Sequence, residues 1–230
     1  MRASKIFLFW QKIKKDMASM STQEKINHIW YHFKWYIIAI IIGTILLISL
    51  VVSIVSSAKH DLLGGGIINV SISDAGSQFL SGDYIESQGY DTSRNQVILY
   101  NPGLTNMTAE QLKQNANFTI SFMTMIGAQE LDFLIVDQVA LKYYMDQGLY
   151  MNLQEVFSEA QLQCLDSYLV YGSSISGKSY PVGICIDHLA FTADCIESDS
   201  PVYLLFIGNA KHTDQLSGFY DYLCSWSTNK

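Results

Sequence analysis

The chain has 230 residues, 49% of them hydrophobic, which is enough for one ordinary domain plus one additional element. Its formal net charge is −7, and that acidic balance argues against a nucleic-acid partner, whose phosphates call for Lys and Arg. No G-x-S-x-G elbow and no H-E-x-x-H motif occurs, so nothing in the sequence points to an enzyme or to a cofactor.

In chain order, residues 1–36 read as a cytoplasmic segment rich in basic and aromatic residues. Within it, KIFLFWQKIKK at 5–15 is a basic amphipathic stretch suited to an anionic membrane surface. Ser21-Thr22-Gln23-Glu24 fits a capping box, in which the serine and glutamate satisfy open N–H groups at a helix start. Ile26, Ile29, Trp30 and Phe33 follow at helical spacing.

Residues 37–57 are expected to form a transmembrane helix. Fourteen of the nineteen residues at 37–55 are Ile, Leu or Val and none is charged, a run close to the roughly 20 residues that span a bilayer core. Trp30, Trp35 and Tyr36 lie at its edge, where amphipathic rings favour the headgroup layer. Seven of the 14 Lys and Arg and two of the 21 Asp and Glu precede the run, so the chain beyond it carries a net charge of −12. That asymmetry predicts a single-pass protein of the cell membrane, N-terminus cytoplasmic and C-terminal domain outside, with the lipid bilayer as a partner. The run is longer than a signal-peptide core, so an uncleaved anchor is expected.

Gly64-Gly65-Gly66 follows a membrane-type run and lacks the lysine and hydroxyl of a phosphate loop, so 58–66 reads as a flexible glycine-rich linker. Residues 67–230 then form an extracytoplasmic α/β domain. Strands are expected at 67–73, 96–100, 131–136, 180–186 and 202–207. Helices are expected at 108–128 (capped by Asn106 or Thr108), 137–147, 154–165 and 213–225. Strands alternating with helices predict a largely parallel sheet.

Cys164, Cys185, Cys195 and Cys224 all lie in the part assigned to the outside, where disulfides persist, and four cysteines leave three pairings open. Cys185, His188 and Cys195 match no common zinc spacing, and no metal is expected. As a strand pair, Cys185 and His188 point to opposite faces, which argues against a thiol–imidazole nucleophile.

ELDFLIVDQVALKYYMDQGLYMNL at 130–153 combines an acidic entry, a buried strand, an aspartate and a glycine-ended helix. This stretch, preceded by the helix at 108–128, resembles a segment of extracellular solute-binding proteins with the type II periplasmic-binding fold. Gly177-Lys178-Ser179-Tyr180-Pro181-Val182-Gly183 and VYLLFIGNAKHTDQLSGFYDYL at 202–223 are similar to a hinge-ward strand and the closing strand–helix segment of that family. Only about twenty residues, 184–203, stand where a second lobe would be. The resemblance therefore implies a reduced, single-lobe domain that recognises a small solute. The competing expectation is a protein–protein assembly module of the cell envelope that has lost its ligand. Asp137 is either a helix cap or a ligand contact at a strand's carboxyl end; in the second case Asp74 shares the rim and Tyr180 offers a stacking ring.

Overall fold

The computed structural model describes residues 21–56, 59–173 and 178–227. The chain forms two units, 1–58 and 59–230, and each is described by itself. The basic stretch at 5–15, Gly177 and the side chain of Tyr36 lie outside the described residues.

In the first unit, helix α1 runs Thr22–Ser56. The expected transmembrane helix needs correction: among the described residues, no helix is long and apolar enough to cross a membrane. The side chains of α1 are described without a break only over 38–53. All of those side chains are exposed, as are Trp30 and Trp35, and the Lys34 ammonium lies 5.8 Å from the Trp35 ring centre.

The second unit is a mixed α/β domain. Its elements begin with β1 (His60–Ile68), β2 (Ser71–Ile72), α2 (Asp74–Gln78), α3 (Tyr84–Ser87) and β3 (Asn95–Tyr100). Next come α4 (Ala109–Gln114), α5 (Ala116–Gly127), β4 (Phe133–Asp137), α6 (Gln138–Gln147) and α7 (Glu159–Leu165). The chain continues with β5 (Leu169–Ser173), β6 (Ser179–Cys185), α8 (Ala190–Cys195), β7 (Ile196–Glu197), β8 (Val202–Phe206) and α9 (Leu216–Cys224). Six strands form one sheet in the order β3-β1-β4-β8-β6-β5, and β2 pairs with β7 separately.

The sheet is mixed, not mostly parallel. β1 runs parallel to β3 and β4, whereas β8 is antiparallel to both β4 and β6, and β5 is antiparallel to β6. The cause lies in the connections. A parallel pair needs a crossover that carries the chain back to the starting end. After β6 the six-residue α8 stays at the same end, so the chain enters β8 beside Asp137, which pairs with Val202. β5 and β6 are joined too closely for any crossover.

Both faces of the sheet are covered, and β4 shows how. Phe133 and Ile135 pack into one core with Leu63, Phe206 and Phe219. Leu134 and Val136 pack into the other with Phe122 and Tyr144. A continuous apolar run is what a strand buried on both faces requires.

The three glycines are not a linker. They sit inside β1, where Gly65 and Gly66 pair with Phe133 and Leu134 of β4. A Cβ on Gly64 would overlap the Glu130 carbonyl, and one on Gly65 would overlap the Phe133 ring. Missing side chains let β4 enter close beside β1 and let Phe133 lie across it.

The segment after β2, which lies outside the helices expected from the sequence, is helical through 74–87. Its buried residues, Phe79, Leu80, Tyr84 and Ile85, repeat at five, off the α-helical period. A π turn over Phe79–Asp83 absorbs the extra residue, with the Tyr84 N–H donating to the Phe79 carbonyl. Residues 108–128 also depart from expectation by forming two helices. Thr108 closes a capping box with Gln111 on α4, and Asn115 interrupts the run by capping α5 through the Phe118 N–H at 3.2 Å.

Gly64→Ala is expected to destabilise the domain by about 3 kcal/mol through overpacking. Gly127→Ala, with nothing near its Cβ position, is expected to be neutral or to stabilise by about 0.5 kcal/mol. Thermal denaturation of the two variants checks the contrast, and equal melting temperatures would refute it.

Candidate functional site

At the carboxyl end of β4 lies a cleft of about 790 Å³. Its floor is one face of α6, which contributes Gln138, Val139, Lys142, Tyr143 and Asp146. Met107 and Lys113 form one wall, and Asp199 and Ser200, just before β8, form the other. Spacings of one, four, five and eight residues from Gln138 put the α6 positions on a single helical face.

Asp137 sits at the inner end of this cleft, with 6% of its surface exposed. Its Oδ1 accepts the Ala140 N–H at 2.8 Å, which makes it the N-cap of α6. Its Oδ2 accepts Asn69 Nδ2 at 2.9 Å and the Ser200 hydroxyl at 3.5 Å. Burial raises the Asp137 carboxyl above its ordinary value, while the hydrogen bonds from Ala140, Asn69, Ser200 and Val139 oppose that rise. Cap and cleft wall are thus one residue.

Asn69, just past β1, is the partner that sequence reading missed. It is 1% exposed and has φ 61, in the left-handed region that asparagine tolerates better than most residues. Its side chain donates to the Met107 carbonyl at 3.0 Å and accepts the Met107 N–H at 2.7 Å. It therefore fixes the loop that carries one wall. The only sequence signal was an asparagine directly after an apolar run.

The other two residues expected at the rim are elsewhere. Asp74 is exposed in the first turn of α2 and does not line the cleft. Tyr180 is the second residue of β6, whose far end, Cys185, is aligned through Tyr203 with Val136. Tyr180 is therefore at the opposite end of the sheet from Asp137, beside the Tyr150 ring at 6.1 Å. The structure brings only Asp137 to the cleft.

Cys164, Cys185, Cys195 and Cys224 are each a free thiol in this structure. Burial pushes the thiols of Cys195 and Cys224 up, which lowers their thiolate fraction and nucleophilicity. The His188 ring stacks on Tyr168 at 3.7 Å. Among the described residues no group of three or more His, Cys, Asp or Glu could hold a metal ion.

A second buried carboxylate, Asp132, lies at the amino end of β4 with 1% exposure. It accepts the N–H groups of Gly64, Lys211 and His212 at 2.8, 2.9 and 3.0 Å, and His212 Nδ1 lies 2.9 Å from its Oδ2. With no nucleophile in this hydrogen-bond set, the arrangement is a structural anchor.

Compared with protein-family models, curated proteins and solved structures, the chain matches none.

Asp137→Ala is expected to cost about 2 kcal/mol through loss of the α6 cap, and Asp137→Asn, which can still cap, less. Because the folded carboxyl titrates above 3.8, the native protein holds the proton that the unfolded chain has lost. Stability supplied by protonated Asp137 is thus complete below 3.8 and is lost as pH rises through the folded value. The stability difference between the parent and Asp137→Asn should shrink across that window. Melting curves of both proteins at a series of pH values test the sign.

Proposed function

We propose that the 59–230 unit is a recognition domain that binds a small solute in the cleft at the carboxyl end of β4. The carrying observation is the convergence there of a roomy cleft, a buried aspartate held in a fixed hydrogen-bond set, and two lysines. Neither Lys113 nor Lys142 has a hydrogen-bond or ion-pair partner among the described residues. A volume of about 790 Å³ falls within the roughly 300–1,000 Å³ usual for small-ligand sites. Ligands of open α/β sheets favour the strands' carboxyl ends. The similarity of 130–153 and 202–223 to solute-binding proteins supports the same reading, in a single-lobe form. The exposed apolar side chains of α1 over 38–53 support contact between the first unit and lipid.

One sheet with an open cleft encloses a ligand less than two lobes closing on it, so fewer contacts exclude water. Affinity is therefore expected to be no tighter than roughly micromolar, about −8 kcal/mol. A library of sugars, amino acids, peptides and organic acids, read by thermal shift, tests the function, since a ligand that binds only the folded form raises the melting temperature. Tyr143→Ala, at the half-buried ring on the cleft floor, should abolish any shift. Hits that survive this substitution would move the site elsewhere, and a nanomolar hit would overturn the open-lobe reading.

A second reading, a protein-docking module, is favoured by α5, which carries no charged residue and exposes Ile120 and Met123. Its mark would be a partner whose binding is lost in Ile120→Lys while cleft variants retain it.

A further inference from the structure

We propose that the ligand of this cleft is a zwitterion, a short peptide of two or three residues with both termini free; this rests on the cleft being a ligand site. The N-terminus of a helix ordinarily attracts carboxylate or phosphate. At α6 that position is already filled by Asp137, whose carboxylate takes the Ala140 N–H. A ligand anion placed there would meet a buried carboxylate instead of open N–H groups.

The remaining cations of the cleft are Lys113, in the last turn of α4, and Lys142, in the middle of α6. Both ammonium groups are without hydrogen-bond or ion-pair partners among the described residues, although Asp146 stands one turn from Lys142 on the same helix. Asp146 and Asp199 line the cleft as well and are equally unpartnered among the described residues. The cleft therefore presents two free positive and two free negative groups. A simple anion or cation gains from one pair and is repelled by the other. A neutral sugar gains from neither as a charge. A molecule carrying both signs satisfies both.

Spacing sets the size of that molecule. The Gln138 N–H lies 3.4 Å from Ser200 Oγ, which places the 199–200 loop over the first turn of α6. Lys142 is four residues further on, about 6 Å along the axis, and Asp146 is another such step. Lys142 and Asp146 thus stand about 6 Å apart along the floor, with Asp199 on the wall beside the first turn. The ammonium and carboxylate of one amino acid are closer together than that, whereas an extended dipeptide reaches about 7 Å and a tripeptide about 10 Å. Met107 and Tyr143 leave an apolar and an aromatic surface for the peptide's side chains.

The test is calorimetric titration of the full chain at low salt with four probes: trialanine, N-acetyl-trialanine, trialanine amide, and the doubly blocked peptide. Trialanine should bind best. Each single block should weaken binding about threefold to fivefold, the scale of one exposed ion pair, and the double block by more. Lys142→Gln should abolish the difference between trialanine and its amide. Asp199→Asn should abolish the difference between trialanine and its N-acetyl form. Both residues are exposed, so the melting temperatures should stay at the parent value, separating lost binding from lost folding. Equal binding of all four peptides, or discrimination at only one terminus, overturns the zwitterion. Failure of every peptide while another solute binds in a Tyr143-dependent way overturns the zwitterion and leaves the cleft standing. If no solute in the library binds, both fall.

Discussion

The arrangement of the 59–230 unit depends on one strand whose two ends are each closed by a buried carboxylate. Strand β4 is covered on both faces and flanked by β1 and β8, so polar groups at its ends have little access to water. Unpaired buried N–H groups cost about 1–3 kcal/mol each. Asp132 collects the N–H groups of Gly64, Lys211 and His212 at one end. At the other, Asp137 collects the Ala140 N–H, the Asn69 amide and the Ser200 hydroxyl. Each carboxylate joins a segment of β1 or its exit to the chain flanking β8. The two residues fix both neighbours of the central strand in register.

This explains why the cleft is built where it is. Asn69 ties the exit of β1 to Met107, and Ser200 ties the entry of β8 to the first turn of α6. Both walls therefore hang on groups that Asp137 also holds. The same bond that caps the helix occupies the helix end, which in the proposed reading leaves the lysines as the groups for a ligand anion. In that reading one carboxylate serves both the fold and the proposed site, which makes Asp137→Ala a poor probe of binding taken alone. The exposed charges of the cleft are the cleaner probes, since nothing in the fold rests on them.

Close approach of backbones is the other constraint. β1 can lie beside β4 because three successive residues carry no side chain, and the space they leave is filled from β4 by Phe133 and Leu134. A similar adjustment occurs in the π turn at Phe79–Asp83, where an extra residue keeps Phe79 and Tyr84 both facing the core. There Phe79 stacks on Tyr222 at 4.3 Å and Tyr84 meets the Phe219 ring edge-on at 5.5 Å. In both places the local sequence looked unsuited to regular structure, and packing against α9 or β4 supplied the reason for it.

The sequence by itself determined the elements whose signals are local. The apolar run into β4, the aspartate and Gly148 bounding α6, and the period-2 or apolar patterns of β3, β6 and β8 depend only on neighbouring residues, because caps, turns and strand burial act over a few positions. Only the tertiary structure decided the rest. The direction of β8 follows from which end of the sheet the chain enters. The place of the triglycine follows from β4, far along the chain. The separation of Asp137 from Tyr180 follows from strand register, and the joining of Asp137 to Asn69 from sheet order. These are relations between segments distant in sequence, and pairwise approach across a sheet leaves no periodic trace in either segment alone.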